Sequence, residues 1–268
     1  MKTTEQASRY AHLERMGTRD LLEAINAEDR KVPLAVAETI PAVTRLVEGI
    51  VERIPRGGRV FYIGAGTSGR LGIVDASEIP PTYGVDDTFI GIMAGGDDAI
   101  RHAVEGAEDR ETQGWKDLQA FDINGEDTLV GITASGSAPY VVGALREARA
   151  KGLLTGAITN NAGSPVTRVA EISMVADVGP EFVTGSTRMK SGTSAKLILN
   201  MISTAAMIRL GHVQGNKMVD MQLTNRKLVD RGTRMIMEGT GITDYEKARA
   251  LLLEHGQVRA AIDAYLKQ

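Results

Sequence analysis

The chain contains no cysteine, which excludes disulfide bonds and thiolate chemistry. Its four histidines are scattered without the spacing of metal ligands, so we expect no transition-metal site. No apolar run approaches the length that crosses a bilayer, and the polar start of the sequence does not resemble a signal peptide. These absences predict a cytoplasmic protein that binds no metal and does not act at a membrane.

Aromatic residues make up only 4% of the chain, and the formal net charge is −3 at pH 7. A slightly acidic chain gives no electrostatic reason to expect nucleic acid as a partner. Glycine is abundant, with 30 residues, as is common where tight turns join strands to helices. A length of 268 residues accommodates one large α/β domain with a smaller helical part.

Predicted strands and helices alternate through the middle of the chain, after a helical stretch over residues 18–54 that Pro33 and Pro41 divide. The strands are expected at residues 59–63, 88–93, 128–133, 153–158 and 172–175. Such alternation is typical of a parallel sheet with crossover helices. Ligands bind such sheets beyond the carboxyl ends of the strands, so the loops at that edge are the candidate site.

The last third of the sequence is helical throughout. A long helix is predicted over residues 190–210, with an apolar face that suits a dimer interface. Residues 248–265 resemble a small three-helix module of the ubiquitin-associated (UBA) type, for which we expect a packing or lid role. We expect three parts, with an N-terminal helical segment at 1–54, an α/β domain at 55–212 and a helical region at 213–268.

A glycine-rich turn follows the first predicted strand. Residues 64–70 read Gly-Ala-Gly-Thr-Ser-Gly-Arg and open a helix. Backbone N–H groups around Gly66 and the hydroxyl groups of Thr67 and Ser68 would then face an anion at a helix N-terminus. The turn therefore predicts a phosphate site.

The same glycines also spell the G-x-G-x-x-G pattern of dinucleotide-binding proteins. A dinucleotide site needs an acidic residue at the end of the next strand, to hold the ribose hydroxyl groups. Here Asp97 and Asp98 come only after two glycines, and Asp86 and Asp87 precede that strand. The spacing disfavours a dinucleotide and favours a simple phosphate.

A second loop of similar composition follows the predicted strand at 128–133. Ser135, Gly136 and Ser137 could donate hydroxyl and backbone N–H groups to phosphate oxygens, and Pro139 suits the first turn of a helix. Serine and glycine are also common in routine strand-to-helix turns, for conformational reasons. Two such loops at one edge of the sheet favour a ligand-binding site over two ordinary strand-to-helix turns.

Two carboxylates stand out near these loops. Glu78 is flanked by apolar residues and by Pro80 and Pro81, which are expected to end the helix and to bury the acid partly. Partial burial would raise its pKa towards neutrality, as a general acid requires. Glu108 lies three residues after Glu105, on one helix face if the helix continues that far. By residue type alone, each acid is most often a solvated surface group.

A third segment rich in polar residues, 184–193, places Arg188 and Lys190 beside five hydroxyl side chains. This composition suits a mobile loop that closes over an anionic substrate. A helix cap with ordinary surface charges is the plainer interpretation.

Taken together, these segments resemble one family, the N-acetylmuramic acid 6-phosphate etherases of the sugar isomerase (SIS) superfamily. The matching runs are residues 25–29, 32–36, 64–72, 75–78, 80–85, 102–109, 183–190 and 196–210, with 215–216 and 218–220 behind them. They span nearly the whole chain, and the runs around Glu78 and Glu108 are specific to the etherases. General sugar isomerase domains share only the phosphate loops.

The resemblance implies an α/β fold, with an SIS-type three-layer α/β/α sandwich, a five-stranded, mostly parallel sheet, N-terminal helices and a helical tail. It implies a homodimer with neither cofactor nor metal. The substrate would be a 6-phosphosugar with a lactyl ether at C3, cleaved to N-acetylglucosamine 6-phosphate and D-lactate. The catalytic glutamates carry over to Glu78 and Glu108, and Lys190 could stabilise a developing enolate.

The chain departs from the family pattern in two places. Many etherases have an arginine and a threonine where this chain has Ser137 and Ala138, so the second loop lacks a positive charge. The helical tail also stops earlier than in longer members. Two other functions stay open, a non-catalytic sugar-phosphate sensor like the glucokinase regulatory protein and an aldose–ketose isomerase. Retention of both glutamates argues against the sensor, and an isomerase needs no group to protonate an ether oxygen.

Overall fold

The computed structural model describes residues 2–267, which form two compact units. The first unit runs to Ser77 and resumes over Thr88–Thr204. The second consists of Glu78–Asp87 and of the chain from Ala205 onward. The N-terminal helices thus belong to the same unit as the sheet, while the predicted division at 54/55 and 212/213 stays a prediction.

A five-stranded parallel sheet forms the centre of the first unit. Its strands are β1 (Val60–Gly64), β2 (Phe89–Met93), β3 (Thr128–Ile132), β4 (Leu154–Thr159) and β5 (Ile172–Val175). Their order is β2-β1-β3-β4-β5, so the chain crosses from one side of β1 to the other between β2 and β3. A crevice at such a switch point, beyond the carboxyl ends of the strands, is where open α/β sheets bind ligands. The predicted strands are confirmed to within a residue.

The central strands are apolar because both faces of the sheet are covered. Every residue of β1, β3 and β4 is buried. Fully buried strands of parallel sheets are near-continuous apolar runs of this kind, without alternation. Phe61, Leu129 and Leu145 belong to the core on one face, into which the single tryptophan, Trp115, also packs.

Among the described residues, three α-helices precede the sheet, all within the stretch 18–54 that the sequence predicts to be helical. They are α1 (Thr18–Asp29), α2 (Val32–Ala37) and α3 (Ile40–Arg53). Pro33 and Pro41 each lie in the first turn of a helix, where the missing N–H group breaks no hydrogen bond. The apolar face of α3 buries Leu46 and Ile50 completely.

Seven helices follow along the chain between the strands and after them. They are α4 (Gly66–Ser77), α5 (Ile79–Tyr83), α6 (Asp98–Arg101), α7 (Gln113–Gln119), α8 (Pro139–Ala150), α9 (Pro165–Val169) and α10 (Lys190–Arg209). α4 ends at Ser77, before Pro80 and Pro81 as expected, but these prolines lie in the first turn of a further short helix, α5. One helix is shorter than the sequence suggests. The helix expected around Glu105 and Glu108 stops at Arg101, and Gly106 adopts φ +66°.

The C-terminal part of the second unit has its own core. A short hairpin pairs Val213–Gln214 with Lys217–Met218. Behind it come α11 (Arg226–Thr240), α12 (Tyr245–His255) and α13 (Val258–Leu266), which bury Ile236, Leu252 and Ala261 among them. Only α12 and α13 fall within residues 248–265, for which a three-helix module was expected, and the UBA-like character of this tail stays a prediction. Between residues 2 and 267, no helix combines the length and the apolar character that a bilayer crossing requires.

Candidate active site

A cavity of about 270 Å³ lies at the carboxyl edge of the sheet, between the loops that follow β1 and β3. The two strands are direct neighbours, with Gly64 opposite Ile132, so their loops emerge side by side. The polar lining of the cavity comes from both loops and from three other segments, and comprises Glu5, Thr67, Ser68, Glu108, Thr133, Ser135 and Thr187. The structure therefore brings together most of the residues that the sequence assigned to phosphate binding.

The first loop is shaped by its three glycines. Gly66 has φ +54°, a backbone region that side chains disfavour, and also lines the cavity. A Cβ atom on Gly64 would lie 2.6 Å from the Gly69 nitrogen, and one on Gly69 would lie 2.6 Å from the Met93 Cβ. The glycines thus allow α4 to begin directly against the sheet. The N-terminal N–H groups of this helix have no intrahelical partners and can bind an anion.

The second loop turns sharply at Gly136, which has φ +69°. A Cβ atom there would lie 2.0 Å from the Ser164 Oγ, so no larger residue fits without displacing its neighbours. Hydroxyl groups line up along the loop, with Ser135 Oγ 3.2 Å from Ser137 Oγ and 3.4 Å from Thr133 Oγ1. Ser135 lines the cavity, whereas Ser137 reaches it only through this contact.

Glu108 lies on the loop between α6 and α7, where it is exposed to solvent and lines the cavity. Its backbone carbonyl accepts a hydrogen bond from the Tyr140 N–H group at 2.9 Å. Since Tyr140 follows Pro139 in the first turn of α8, this bond holds the glutamate beside the second loop. The sequence thus pointed to an acid that does line the cavity, but the helix assumed around it does not form.

A second cavity, of about 260 Å³, adjoins the first and shares Ala65, Gly66 and Glu108 with it. Arg70 lines this second cavity, with its guanidinium group donating to the carbonyls of Ala99 and Ile100 at 2.7 Å each. Glu108 therefore lines both cavities, at the boundary between them.

Glu78 lies in the second unit, at the N-cap position of α5. Its side chain is exposed, and the partial burial expected from the sequence is not found. The reason is local, because Pro80 and Pro81 continue into a helical turn and do not fold back over the acid. Its catalytic role stays a prediction.

Lys190 is buried and held by other groups. Its ammonium group donates to Glu28 Oε2 at 2.7 Å and to the Val178 carbonyl at 2.8 Å. Burial alone raises the pKa of Glu28, but the hydrogen bonds and charges of Lys190 and Lys31 outweigh it and lower that pKa to about 2. The predicted contact of Lys190 with phosphate stays a prediction, and it would require both internal hydrogen bonds to break.

Asp75, in the helix that starts at the first loop, is a partly buried acid. Burial raises its pKa, against the opposing hydrogen bonds of Ser203 and Tyr62. Ser203 Oγ donates to Asp75 Oδ1 at 3.2 Å. The side chain packs between buried hydroxyl groups, and it is absent from the lining of both cavities.

The N-terminal segment of residues 2–10 reaches the cavity, which sequence reasoning missed. Asn161 explains this placement, because its amide group donates to Thr4 Oγ1 at 3.0 Å and to the Ala134 carbonyl at 2.8 Å. Thr4 is fully buried as a result, and Glu5 lines the cavity. Apart from a single 3₁₀ turn at Thr3–Glu5, the segment has no regular structure and so no helical or strand periodicity, and the sequence offered no signal for its placement.

No group of three histidine, cysteine, aspartate or glutamate side chains between residues 2 and 267 is arranged to hold a metal ion. The polar groups that line the first cavity are carboxylates, hydroxyl groups and backbone groups.

Comparisons with known proteins agree with this geometry. Residues 42–149 match the family described as the glucokinase regulatory protein N-terminal SIS domain. Among solved structures, a phosphoheptose isomerase from Neisseria gonorrhoeae superposes with a TM-score of 0.54 at 16% identity, over 71% of this chain and 98% of that one. This likeness shows that the SIS-type α/β fold is shared.

Closer relatives extend over almost the full sequence. An N-acetylmuramic acid 6-phosphate etherase of Bacteroides fragilis is 59% identical over 266 residues, 99% of this chain and 94% of the relative. One of Porphyromonas gingivalis is 60% identical over 264 residues, 98% of this chain and 96% of the relative. A chain that shares more than half its residues with such proteins from end to end belongs to the N-acetylmuramic acid 6-phosphate etherase family.

Proposed function

We propose that the protein cleaves the D-lactyl ether of N-acetylmuramic acid 6-phosphate, producing N-acetylglucosamine 6-phosphate and D-lactate. One observation carries this proposal. In a chain 59% identical to an etherase, a single cavity brings together both predicted phosphate loops and Glu108. The enzyme is a carbon–oxygen lyase, and it recycles an amino sugar of the cell wall.

The reaction suits acid–base groups without a metal. In the open-chain sugar, C2 lies next to an aldehyde, so its proton is acidic enough for a carboxylate base to remove. The C3–O bond then breaks as the C2=C3 double bond forms, and lactate leaves with a proton on its former ether oxygen. Water adds its oxygen to C3 and a proton to C2, which restores the sugar. The sum is one water consumed and one lactate released.

We assign the two proton transfers to Glu108 and Glu78. Glu108 is exposed in the cavity and assists removal of the C2 proton. Glu78 donates the proton to the departing ether oxygen. The two transfers need one carboxylate that is ionised, to accept a proton, and one that is protonated, to donate it. If both bonds break on the same face of the sugar, one carboxylate serves both steps, and single substitutions separate these two schemes.

The phosphate of the substrate is assigned to the two loops. Gly66, Thr67 and Ser68 offer N–H and hydroxyl donors at the start of α4, and Ser135, Gly136 and Ser137 offer others from the neighbouring strand end. The N-terminus of α4 adds a favourable dipole for an anion. Phosphate binding at one end of the sugar would then position C2 and C3 for the acids.

Lactate release is the decisive assay. Purified protein is incubated with N-acetylmuramic acid 6-phosphate, and D-lactate is measured with time. Release at rates of an ordinary enzyme supports the proposal. Tight binding of sugar phosphate without lactate would instead support a regulator like the glucokinase regulatory protein, whose SIS family matches residues 42–149.

We also propose that the protein works in the cytoplasm as a homodimer, as its family resemblance implies. Sedimentation equilibrium measures the mass in solution. A mass of one chain, 28.7 kDa, across the concentration range would contradict the dimer.

A further inference from the structure

We propose that Lys2 is a phosphate-binding residue of this site, supplying from the N-terminal segment the positive charge that the second loop lacks. The proposal rests on the proposed function in one respect, namely that a phosphorylated sugar occupies the cavity. The observation behind it is a hydrogen bond of 2.5 Å from the Lys2 ammonium group to Ser137 Oγ.

The charge balance of the cavity favours such a cation. Its lining includes two carboxylates, Glu5 and Glu108, and neither lysine nor arginine from the part of the chain that the structure describes. A phosphate dianion placed among neutral donors and two acids is poorly stabilised, because like charges repel across a confined space. Arg70 does not fill the gap, since it lines the adjoining cavity and donates to two backbone carbonyls.

Lys2 stands at the end of a connected row of hydroxyl groups. From its ammonium group the contacts run to Ser137 Oγ, on to Ser135 Oγ at 3.2 Å and from there to Thr133 Oγ1 at 3.4 Å. Ser135 and Thr133 both line the cavity. An ammonium group has three donor hydrogens, so two remain for phosphate oxygens while one holds Ser137.

The position of Lys2 is fixed by contacts of the residues that follow it. Two residues on, Thr4 is fully buried and exchanges hydrogen bonds with Asn161, which also binds the second loop at the Ala134 carbonyl. Further along, Ser8 N–H donates to Thr184 Oγ1 at 2.9 Å and Ser8 Oγ to the Phe182 carbonyl at 2.7 Å.

Tyr10 completes these attachments by packing its ring on Phe182, with centroids 4.8 Å apart. The N-terminal segment is thus held at three points, and its first described residue lies on the phosphate loop. A lysine on a freely moving end would gain little from an ion pair, because ordering it would offset the attraction. A segment already ordered avoids most of that entropy loss.

The test compares binding of a phosphorylated and an unphosphorylated sugar by calorimetry. The ligands are N-acetylglucosamine 6-phosphate and N-acetylglucosamine, and the proteins are wild type, Lys2→Gln, Lys2→Arg and Lys151→Gln. Lys151 is an exposed lysine at the end of α8 and controls for the loss of one positive charge. Thermal unfolding of each variant checks that the fold is retained.

We expect Lys2→Gln to weaken binding of the phosphorylated sugar about 3- to 10-fold at low ionic strength, as for a charge-assisted hydrogen bond that is partly exposed. Lys2→Arg should retain most of the affinity, and Lys151→Gln should stay within about twofold of wild type. Affinity for the unphosphorylated sugar should be the same in all four proteins. Equal effects of Lys2→Gln and Lys151→Gln would overturn the proposal.

Failure of this proposal can be told apart from failure of the proposed function. A wild-type protein that binds the sugar phosphate through Lys2 but releases no lactate refutes the etherase activity and leaves Lys2 in place. Normal lactate release by Lys2→Gln with an unchanged KM refutes the role of Lys2 and leaves the etherase intact. A wild type that binds no sugar phosphate refutes both.

Discussion

The backbone N–H group of Tyr140 donates a hydrogen bond to the carbonyl of Glu108 at 2.9 Å. This bond joins a loop without regular structure to the first turn of α8, directly behind the serine-rich loop. The proposed base, Glu108, and the proposed phosphate contacts of the serine-rich loop are therefore both attached to the first turn of α8. A substrate held at Ser135 by its phosphate would lie at a set distance from the Glu108 carboxylate.

Replacing Glu108 with glutamine should remove the proposed base and leave its support intact, because the supporting bond uses the backbone. We expect kcat for lactate release to fall about 10²- to 10⁴-fold, the usual contribution of a positioned acid or base. KM should change little, since the phosphate contacts remain. Steady-state kinetics of lactate release measures both constants.

The control for this variant is Glu147→Gln, which removes an exposed carboxylate from α8 in the same unit. Its kcat should match that of wild type within about twofold, as for substitutions away from specific contacts. A Glu108→Gln enzyme that is as fast as Glu147→Gln would remove Glu108 from the mechanism.

Glu78→Gln tests the proposed proton donor. Without an acid, lactate must leave as an alkoxide, so we expect a fall in kcat of about 10²- to 10⁴-fold. If one carboxylate serves both proton transfers, either Glu78→Gln or Glu108→Gln should retain nearly full activity. Glu254→Gln, an exposed acid on α12, is the matched control. A kcat of Glu78→Gln equal to that of wild type would contradict the assignment of Glu78 as the proton donor.

Gly136→Ala should destabilise the protein and weaken sugar-phosphate binding together. A positive φ costs an alanine about 1–2 kcal/mol, and the Cβ atom, 2.0 Å from Ser164 Oγ, adds overpacking of about 1–3 kcal/mol. Gly152→Ala is the control, because Gly152 has φ +84° with no atom near its Cβ position. It should show the conformational cost alone in urea unfolding. Equal losses of stability in the two variants would contradict the close packing at Gly136.

The Glu28–Lys190 pair makes stability depend on pH. The pKa of Glu28 is about 2 in the folded protein, below its usual 4.5, so the pair stabilises the fold above pH 4.5 and its contribution is lost as the pH falls towards 2. Glu28→Gln leaves the buried ammonium without its anion and should lower the free energy of unfolding by about 3–5 kcal/mol at pH 7. Its stability should then fall less than that of wild type between pH 4.5 and 2.

Urea unfolding at several pH values between 7 and 2 measures this difference. Glu23→Gln, at an exposed position of α1, is the comparison because its pair with Arg19 is at the surface. Its profile should parallel that of wild type. A Glu28→Gln profile that also runs parallel to wild type would mean that the pair does not set the acid limit.

Much of the fold follows from local pattern. The strands are unbroken apolar runs between glycine-rich turns, so their period and length predict them to within a residue. Pro33 and Pro41 predict helix starts because a first-turn proline loses no hydrogen bond. The same rule holds for Pro80 and Pro81, which open α5 directly after α4 has ended at Ser77, although only the helix end was predicted there.

The sequence predicts those parts of the candidate site that depend on the composition of single loops and on the order of neighbouring strands. Adjacent parallel strands place their following loops together, so the sequence pattern alone could pair Thr67 with Ser135. Glu108 was selected by resemblance, although the expected helix around it ends at Arg101. Gly106, with φ +66°, adopts a turn conformation there. A single glycine in a sequence does not by itself predict such a turn.

Contacts between distant residues were beyond sequence reasoning. Lys190 pairs with Glu28, 162 positions away, and a lysine in a polar segment carries no sign that it will be buried. Glu5 reaches the cavity because Thr4 is held by Asn161, 157 positions away. Such partners depend on tertiary placement, and neither periodicity nor local composition encodes it.

The amide of Asn161 has a consequence for the order in which the site is assembled during translation. Thr4 is synthesised 157 residues before Asn161, the residue that holds it, and Asn161 is made only after four of the five strands. Because synthesis proceeds from the N-terminus, the segment that carries Lys2 and Glu5 must wait undocked until β4 is complete. Residues 2–10 are thus made before the sheet but take their places around the cavity only after β4.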